Sequence, residues 1–428
     1  VWKAAEGAYL YDVEGRQVLD FRCGYSAINF GHTPQRLIEA AEKQMRSLSQ
    51  LTQLPSTALI EFAEQLLSFL GCRGTAKVLL NVSGARAIET ALKIALHRRP
   101  GTIVCFEHGY HGRSLATQPL SDTSTFSEAW PWPGLWRSAG NGEICRLPYP
   151  LDDSAIDTHR SPLSMNPHAN AWSEVLELWE RSLASRDVPL SAVLIEPMLG
   201  ARGYIAPPKQ FFLELLQRTH ARGGLVIADE VQVGLGRAGG RLMSRAQGWQ
   251  PDLVVLGKSL GGGLLPISAV VGAAGLIDLL PNGSESETFA AHPLACAVAS
   301  AALEWLQELE PKLPQLGTKL RRVFEDIVCR WGLPAEVQGV GVVAVLDWRG
   351  AWPNPNFAGL QNDVKPQDPI AQTVARLSQH CLAAGLLLHP SGPDGRRMVF
   401  LPPLTVTDEQ LEEAGSKFEA ALASLAGK

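Results

Sequence analysis

Between residues 77 and 257, five short apolar runs alternate with amphipathic stretches of helical period: Lys77–Asn81, Thr102–Phe106, Ala192–Ile195, Leu225–Asp229 and Leu253–Gly257. Near-continuous apolar runs are what strands buried on both faces look like, and helical stretches between them supply the crossovers that parallel pairing needs. The pattern predicts an α/β architecture, a mostly parallel sheet flanked by helices. In open sheets of this kind ligands gather beyond the carboxyl ends of the strands. Polar, chemistry-bearing residues follow several of these runs.

Around this middle the signals are simpler. Gly7–Phe21 alternates apolar and polar residues about a turn at Glu14-Gly15, which reads as a hairpin. Helical period runs from Pro34 to Leu48 and from Thr57 to Leu70. From Gln118 to Asn170 the pattern weakens into Ser, Pro, Trp and Asn. That region reads as one long ordered loop whose Trp130, Trp132 and Trp136 either line a site mouth or pin the loop to the core. Leu264–Leu280 is apolar but is broken by Pro266, Ser268, Gly272, Gly275 and Asp278, so it reads as core strand and loop, not a membrane span. The chain turns helical again from Pro293 and closes on a helix, Asp408–Leu425.

A net charge of −5 over 428 residues gives no electrostatic reason to expect nucleic acid or an anionic membrane as partner. The seven cysteines stand singly, with no CxxC spacing. This speaks against a disulfide framework or zinc ribbon and for a reducing compartment, the cytoplasm. His108 and His111 are the nearest approach to a metal pair, but no cysteine or acid clusters with them, so no metal is expected. The chain opens on Val1 rather than Met, which is compatible with a domain of a longer, multifunctional polypeptide.

Three places invite chemistry. Asn81-Val82-Ser83-Gly84-Ala85 leaves a strand and enters a helix, and free N–H groups at Gly84 and Ala85 would make an anion site there. Leu225–Asp229 ends a buried run in an acid. A carboxylate at a strand tip can be a metal ligand, a base, a partner for a cation such as a protonated pyridine, or merely a helix cap. Lys258 follows Leu253–Leu256 and precedes a run of glycines. A lysine at the end of a buried strand is costly unless neutral or covalently bonded, and desolvation makes it a nucleophile toward carbonyls. It could instead reach solvent through the glycines. A phosphate-binding loop would put its glycines before the Gly-Lys-Ser, not after it.

The motifs YSAINFGH (25–32), SGARAIETALK (83–93), YHGRS (110–114), IEPMLGARGYIAPP (195–208), IADEVQVGLGRAG (227–239), PDLVVLGKSLGGGLLPISAV (251–270), TFAAHPLACA (288–297) and FLPPLTVT (400–407) occur in this order. As a set they resemble the class III, or ω-, aminotransferases of pyridoxal 5′-phosphate (PLP) fold type I, with YSAIN and LGGGLLPISAV most like ornithine aminotransferase-like members. The resemblance implies a large PLP-binding domain over 56–295 and a smaller α+β domain built from both chain ends, 1–55 and 296–428. It implies that Lys258 carries PLP as a Schiff base and moves the substrate proton, and that Asp229 keeps the pyridine nitrogen protonated. Tyr110 would stack on the ring, with His111 beside it. Ser83, Gly84 and Ala85 would bind the phosphate, Gln232 would sit near the ring hydroxyl, and Glu196 would belong to the polar wall. Thr288 would reach the phosphate of a second subunit, which implies a homodimer. Tyr25 and Arg113 match the positions that hold the substrate's distal carboxylate in ornithine-type relatives.

The departures bear on substrate. Many relatives bind the α-carboxylate of glutamate with an arginine just before the final Pro-Pro-Leu, and that position is Val399 here, with Arg396 and Arg397 nearby. The glutamate that shields this arginine in ornithine-type relatives is Ala201, beside Leu199 and Arg202. Both members of that ion pair are missing together, which is coherent because a buried carboxylate without its partner destabilises a fold. Arg86 stands in place of a usual acid, Ile88 in place of a small or amide residue, and His292 in place of a usual asparagine. The resemblance points to transfer of an amino group between a primary amine or ω-amino compound and an aldehyde or keto acceptor. Racemases, aminomutases, decarboxylases and amine lyases on the same scaffold share Lys258 and Asp229, so these two residues leave the reaction type open.

Overall fold

The computed structural model describes residues 1–52, 54–121, 143–150, 171–186, 188–350, 352 and 368–427. Trp130, Trp132 and Trp136 lie outside them.

At the centre is a seven-stranded sheet. Its strands are β4 (Ala76–Asn81), β5 (Thr102–Phe106), β6 (Ile144–Leu147), β7 (Leu190–Ile195), β8 (Leu225–Asp229), β9 (Leu253–Leu256) and β10 (Ser268–Ala273), in the spatial order β4-β10-β9-β8-β7-β5-β6. All run parallel except β10, which is antiparallel to both neighbours. Every residue of β5, β7, β8 and β9 is buried, as helices on both faces require. The pleat divides β8 between two cores. Val226 and Ala228 enter one with Phe211, Phe212 and Trp249, and Leu225 and Ile227 enter the other with Ile88 and Ala91 of the helix Gly84–Arg98.

Both chain ends meet in smaller sheets. The hairpin read from the sequence is present: β2 (Tyr9–Asp12) pairs antiparallel with β3 (Gln17–Asp20), and β1 (Trp2–Glu6) extends the pair. The other edge of β3 takes β13 (Leu386–Leu387), so the first and last parts of the chain share one sheet. The third sheet holds β11 (Ala335–Gln338), β12 (Ala344–Trp348), β15 (Arg397–Phe400) and β14 (His389–Ser391), in that order. The helix Pro293–Leu309 packs on Gln35–Ser47 and Thr57–Phe69. The closing helix, Asp408–Leu425, starts on a capping box. Thr407 accepts from the Gln410 N–H, the Gln410 side chain accepts from the Thr407 N–H, and Asp408 and Glu409 suit the positive end of the helix dipole.

The region from 118 to 170 is not loop throughout. β6 lies within it and forms the edge of the central sheet. Four residues with Arg146 among them carry too little apolar pattern to stand out, and an edge strand needs only one neighbour.

Candidate active site

Five parallel strands end on the same side of the sheet, and each hands on one part of the site. β4 leads through Ser83 into the helix Gly84–Arg98. Ser83 has extended backbone, and its hydroxyl accepts from the Arg86 N–H at 3.3 Å. The first intrahelical bond closes from Ala87 N–H to Ser83 O, so the N–H groups of Gly84 and Ala85 fall in the turn the helix itself leaves unbonded. With the helix dipole behind them they form an anion cradle. Gly112 closes over it: a Cβ there would lie 2.5 Å from Ala85 Cβ.

β5 leads to Tyr110 and His111, β7 to Glu196, and β8 ends on Asp229. His111 Nδ1 lies 2.8 Å from Asp229 Oδ2, both residues buried, and with its proton on Nδ1 the imidazole donates to the carboxylate. Asp229 Oδ1 also accepts from the Val231 N–H at 3.1 Å. Glu196 accepts from the Tyr110 N–H at 2.7 Å and the Gly200 N–H at 3.0 Å. Burial, and then the neighbouring Asp229 charge, push its carboxyl up to about 7 against the pull of His111 and these two N–H groups.

β9 leads to Lys258, the first residue of a single tight turn, Lys258–Gly261, with φ of +46°. A left-handed backbone is strained for a residue with a Cβ and recurs where a site demands it. The β8–β9 pairing sets the lysine at the tip of the strand next to that of Asp229. Lys258 Nζ donates to Gln232 Oε1. The surrounding protein strips it of water and lowers its pKa to about 8, even though Glu196 and Asp229 both favour the charged form. Gln232 in turn donates to the Tyr204 hydroxyl at 3.1 Å, which lies 3.2 Å from Ser26 Oγ. Tyr204 belongs to the 195–208 motif, but no spacing rule marks it as the link between the lysine and residue 26.

Together these side chains line one pocket of about 220 Å³, with Gly84, Ala85, Tyr110, Arg113, Glu196, Asp229, Gln232 and Lys258 in its wall. The pocket suits a planar, phosphate-bearing pyridine aldehyde. It offers a helix N-terminus for the phosphate, an aromatic wall, a buried carboxylate for a ring nitrogen and an amine of lowered pKa for the aldehyde.

The remaining sequence-selected residues stand further out. The Ser83 hydroxyl caps the cradle helix. Arg113 stacks over the Tyr110 ring at 5.8 Å. The Tyr25 hydroxyl accepts from Arg22, and its ring packs edge-on against His389 at 4.8 Å. Thr288 O accepts from the Gln50 side chain. That segment is clamped to the cradle helix by Arg86, which pairs with Glu285 at 3.1 Å and with Glu287. The acids neutralise a cation that the helix N-terminus would otherwise disfavour. Val399 is buried in an apolar cluster with Tyr204 and Cys23. Arg397, on the same face of β15, is 4% exposed, paired with Asp347 at 2.8 Å and donating to Gly203 O at 3.2 Å. Arg396 is held by Asp368 and Asp394.

The family model for aminotransferase class-III matches residues 1–422. The 2-aminoadipate transaminase of Pseudomonas putida is 31% identical, over 98% of this chain and 94% of its own length. A 5-aminovalerate aminotransferase of Pseudomonas aeruginosa is 30% identical, over 96% of this chain and 91% of its own. Among solved structures, the PLP-containing ornithine aminotransferase of Toxoplasma gondii superposes with a TM-score of 0.78 at 25% identity, over 100% of this chain and 91% of that one.

Proposed function

Because the chain belongs to the class-III aminotransferase family, and is therefore a PLP-dependent aminotransferase acting on ω-amino compounds, we propose that Lys258 is the residue that binds the cofactor covalently and carries the proton in the transfer. The observation that carries this assignment is the amine itself. It stands at a strand tip in a left-handed turn, partly stripped of water, with its pKa lowered to about 8 and two carboxylates beside it.

When bound, PLP supplies the carbonyl that takes up the amine and the ring that takes up the electron pair released at the substrate carbon. The chain's own residues do the rest. The Gly84 and Ala85 N–H groups hold the phosphate, and Ser83 and Ser268 support them, Ser83 by capping the helix and Ser268 by donating to Ser83 O at 2.7 Å. Asp229, oriented by His111, keeps a proton on the pyridine nitrogen. Tyr110 covers a ring face. Glu196, held by two backbone N–H groups, fixes the Tyr110 turn and the 196–200 loop. Gln232 holds the Lys258 amine by accepting from it, and would sit near the ring hydroxyl. The Lys258 nitrogen would be the base that takes the proton from the substrate carbon and hands it back. The two half-reactions, amine in and carbonyl in, use the same residues in reverse order, a ping-pong scheme.

The working unit we propose is a homodimer in which Thr288 of one subunit reaches the cofactor phosphate of the other. Phe289, next to it, is 59% exposed, an apolar surface that suits a partner. The seven cysteines are free thiols, which suits the cytoplasm.

The test is the visible band of the cofactor in the loaded protein as 5-aminovalerate, a simple alkylamine and glutamate are added in turn. Loss of the band with the ω-amino compounds, restored by a keto or aldehyde acceptor, is the expected result. Glutamate should act poorly, since Val399 stands where relatives carry its arginine. A band that no amine changes, or products of racemisation or decarboxylation, overturns the assignment.

A further inference from the structure

We propose that Arg22, paired with Tyr25, is the cation that recognises the carboxylate of an ω-amino acid substrate. The proposal deepens the aminotransferase reading and rests on it.

A run of contacts leads from Val399 to Arg22. Val399 is paired across the sheet with His389 on β14. The His389 ring meets the Tyr25 ring edge-on at 4.8 Å, and the Arg22 guanidinium stacks over that same tyrosine at 4.4 Å while donating to its hydroxyl. This guanidinium comes from a different segment of the chain, three residues before Tyr25. Its Nε is buried and makes no hydrogen bond. An unbonded guanidinium N–H out of water is costly, and a carboxylate bridging Nε and the tyrosine hydroxyl would satisfy it.

The segment is built to hold this position. Asp20 Oδ1 accepts from the Arg22 and Cys23 N–H groups at 2.9 and 3.0 Å, and Asp20 Oδ2 is bonded to His32 at 2.9 Å. Tyr25 and Ser26 then follow with φ of +56° and +68°. Ser26, next to Tyr25 in the chain, connects through Tyr204 and Gln232 to Lys258, so the Tyr25 segment and the reacting amine are tied by one run of hydrogen bonds. Burial, and then the nearby Arg22, hold His389 near pKa 4, so at neutral pH it adds no charge of its own.

Arg113 lines the pocket itself, stacked over Tyr110. The test therefore compares Arg22→Met with Arg113→Met. The substrates are 5-aminovalerate and n-pentylamine, which have the same number of carbons and differ in the carboxylate. Arg22→Met is expected to lower the ratio of kcat/KM for 5-aminovalerate over pentylamine roughly 10- to 100-fold, the loss of one charge-assisted hydrogen-bonded contact. Arg22→Lys should recover part of that ratio. Calorimetric binding of valerate, a carboxylate with no amine, to the loaded protein reads the same contact without turnover, and should weaken in Arg22→Met by a similar factor. An unchanged ratio, an equal loss on both substrates, or a collapse confined to Arg113→Met overturns the proposal. If the wild-type protein transaminates neither amine, the functional reading fails instead, while valerate binding still decides the role of Arg22.

Discussion

The floor of the pocket and its rim are built on different terms. On the floor, His111, Asp229 and Glu196 are buried at strand tips and tied to one another or to backbone N–H groups at 2.7–3.0 Å, with Lys258 among them. Each arrives at the end of a strand whose place is fixed by the sheet. At the rim proposed above, Arg22, Tyr25 and His389 are only half-buried and come from a loop and a short edge strand of the terminal sheets. The floor holds groups whose positions the chemistry dictates. Under the proposal for Arg22, the rim holds groups that can be exchanged as the substrate changes, with a valine at 399 and an arginine at 22.

The sharpest way to break this contrast is to remove the floor's amine. Lys258→Ala should lower turnover by about 10³-fold or more, the upper part of the range for a general acid–base group, and the cofactor should wash out on gel filtration. Retained turnover would mean that the floor is not where the chemistry lies.

Next comes the buried arginine two residues before Val399. Arg397→Met should leave Asp347 buried with only Arg349, 3.1 Å away, to balance it. The cost is about 3 kcal/mol, the low end for a broken buried pair, read as a lower denaturant midpoint. The preference for 5-aminovalerate over pentylamine should survive in the folded fraction. If that preference were lost with stability intact, Arg397 would be a recognition residue and the division of labour at the rim would need redrawing.

The smallest effect is on pH. Only the neutral Lys258 amine attacks an aldehyde. The rate at which apoprotein takes up PLP should therefore rise with pH through about 8 and level off, rather than climbing to the 10.5 of an ordinary lysine. Glu196 favours the charged amine, so Glu196→Gln should move that midpoint down. A midpoint that moves up would mean the carboxyl acts on the lysine in some way other than by its charge.

The floor was legible in the sequence because each of its residues follows an apolar run, and a run of that kind fixes both the strand and the side of the sheet on which it ends. Strands β5 and β8 and the closing helix fall on the expected residues. The rim was not legible in the same way. The meeting of Tyr25 with His389 spans more than 360 residues of chain, and nothing local to either residue announces it. Arg22 follows a buried strand as Lys258 does, but β3 belongs to a terminal sheet and carries no ligand-binding rule. The edge strand β6 was lost for want of pattern, and the His111–Asp229 pairing because only the sheet order brings their two loops together.

Strand β10 runs against its neighbours, so it begins where they end. Its first residue, Ser268, fastens the cradle at Ser83, while Lys258 stands on the far side of it at the tip of β9. Cradle and amine are therefore set two strand spacings apart, roughly 9–10 Å. The sheet acts as a gauge with fixed jaws: a molecule must carry its anion and its carbonyl at matching ends to touch both. A pyridine aldehyde lacking the phosphate arm would reach only one jaw and would be held at the amine end alone.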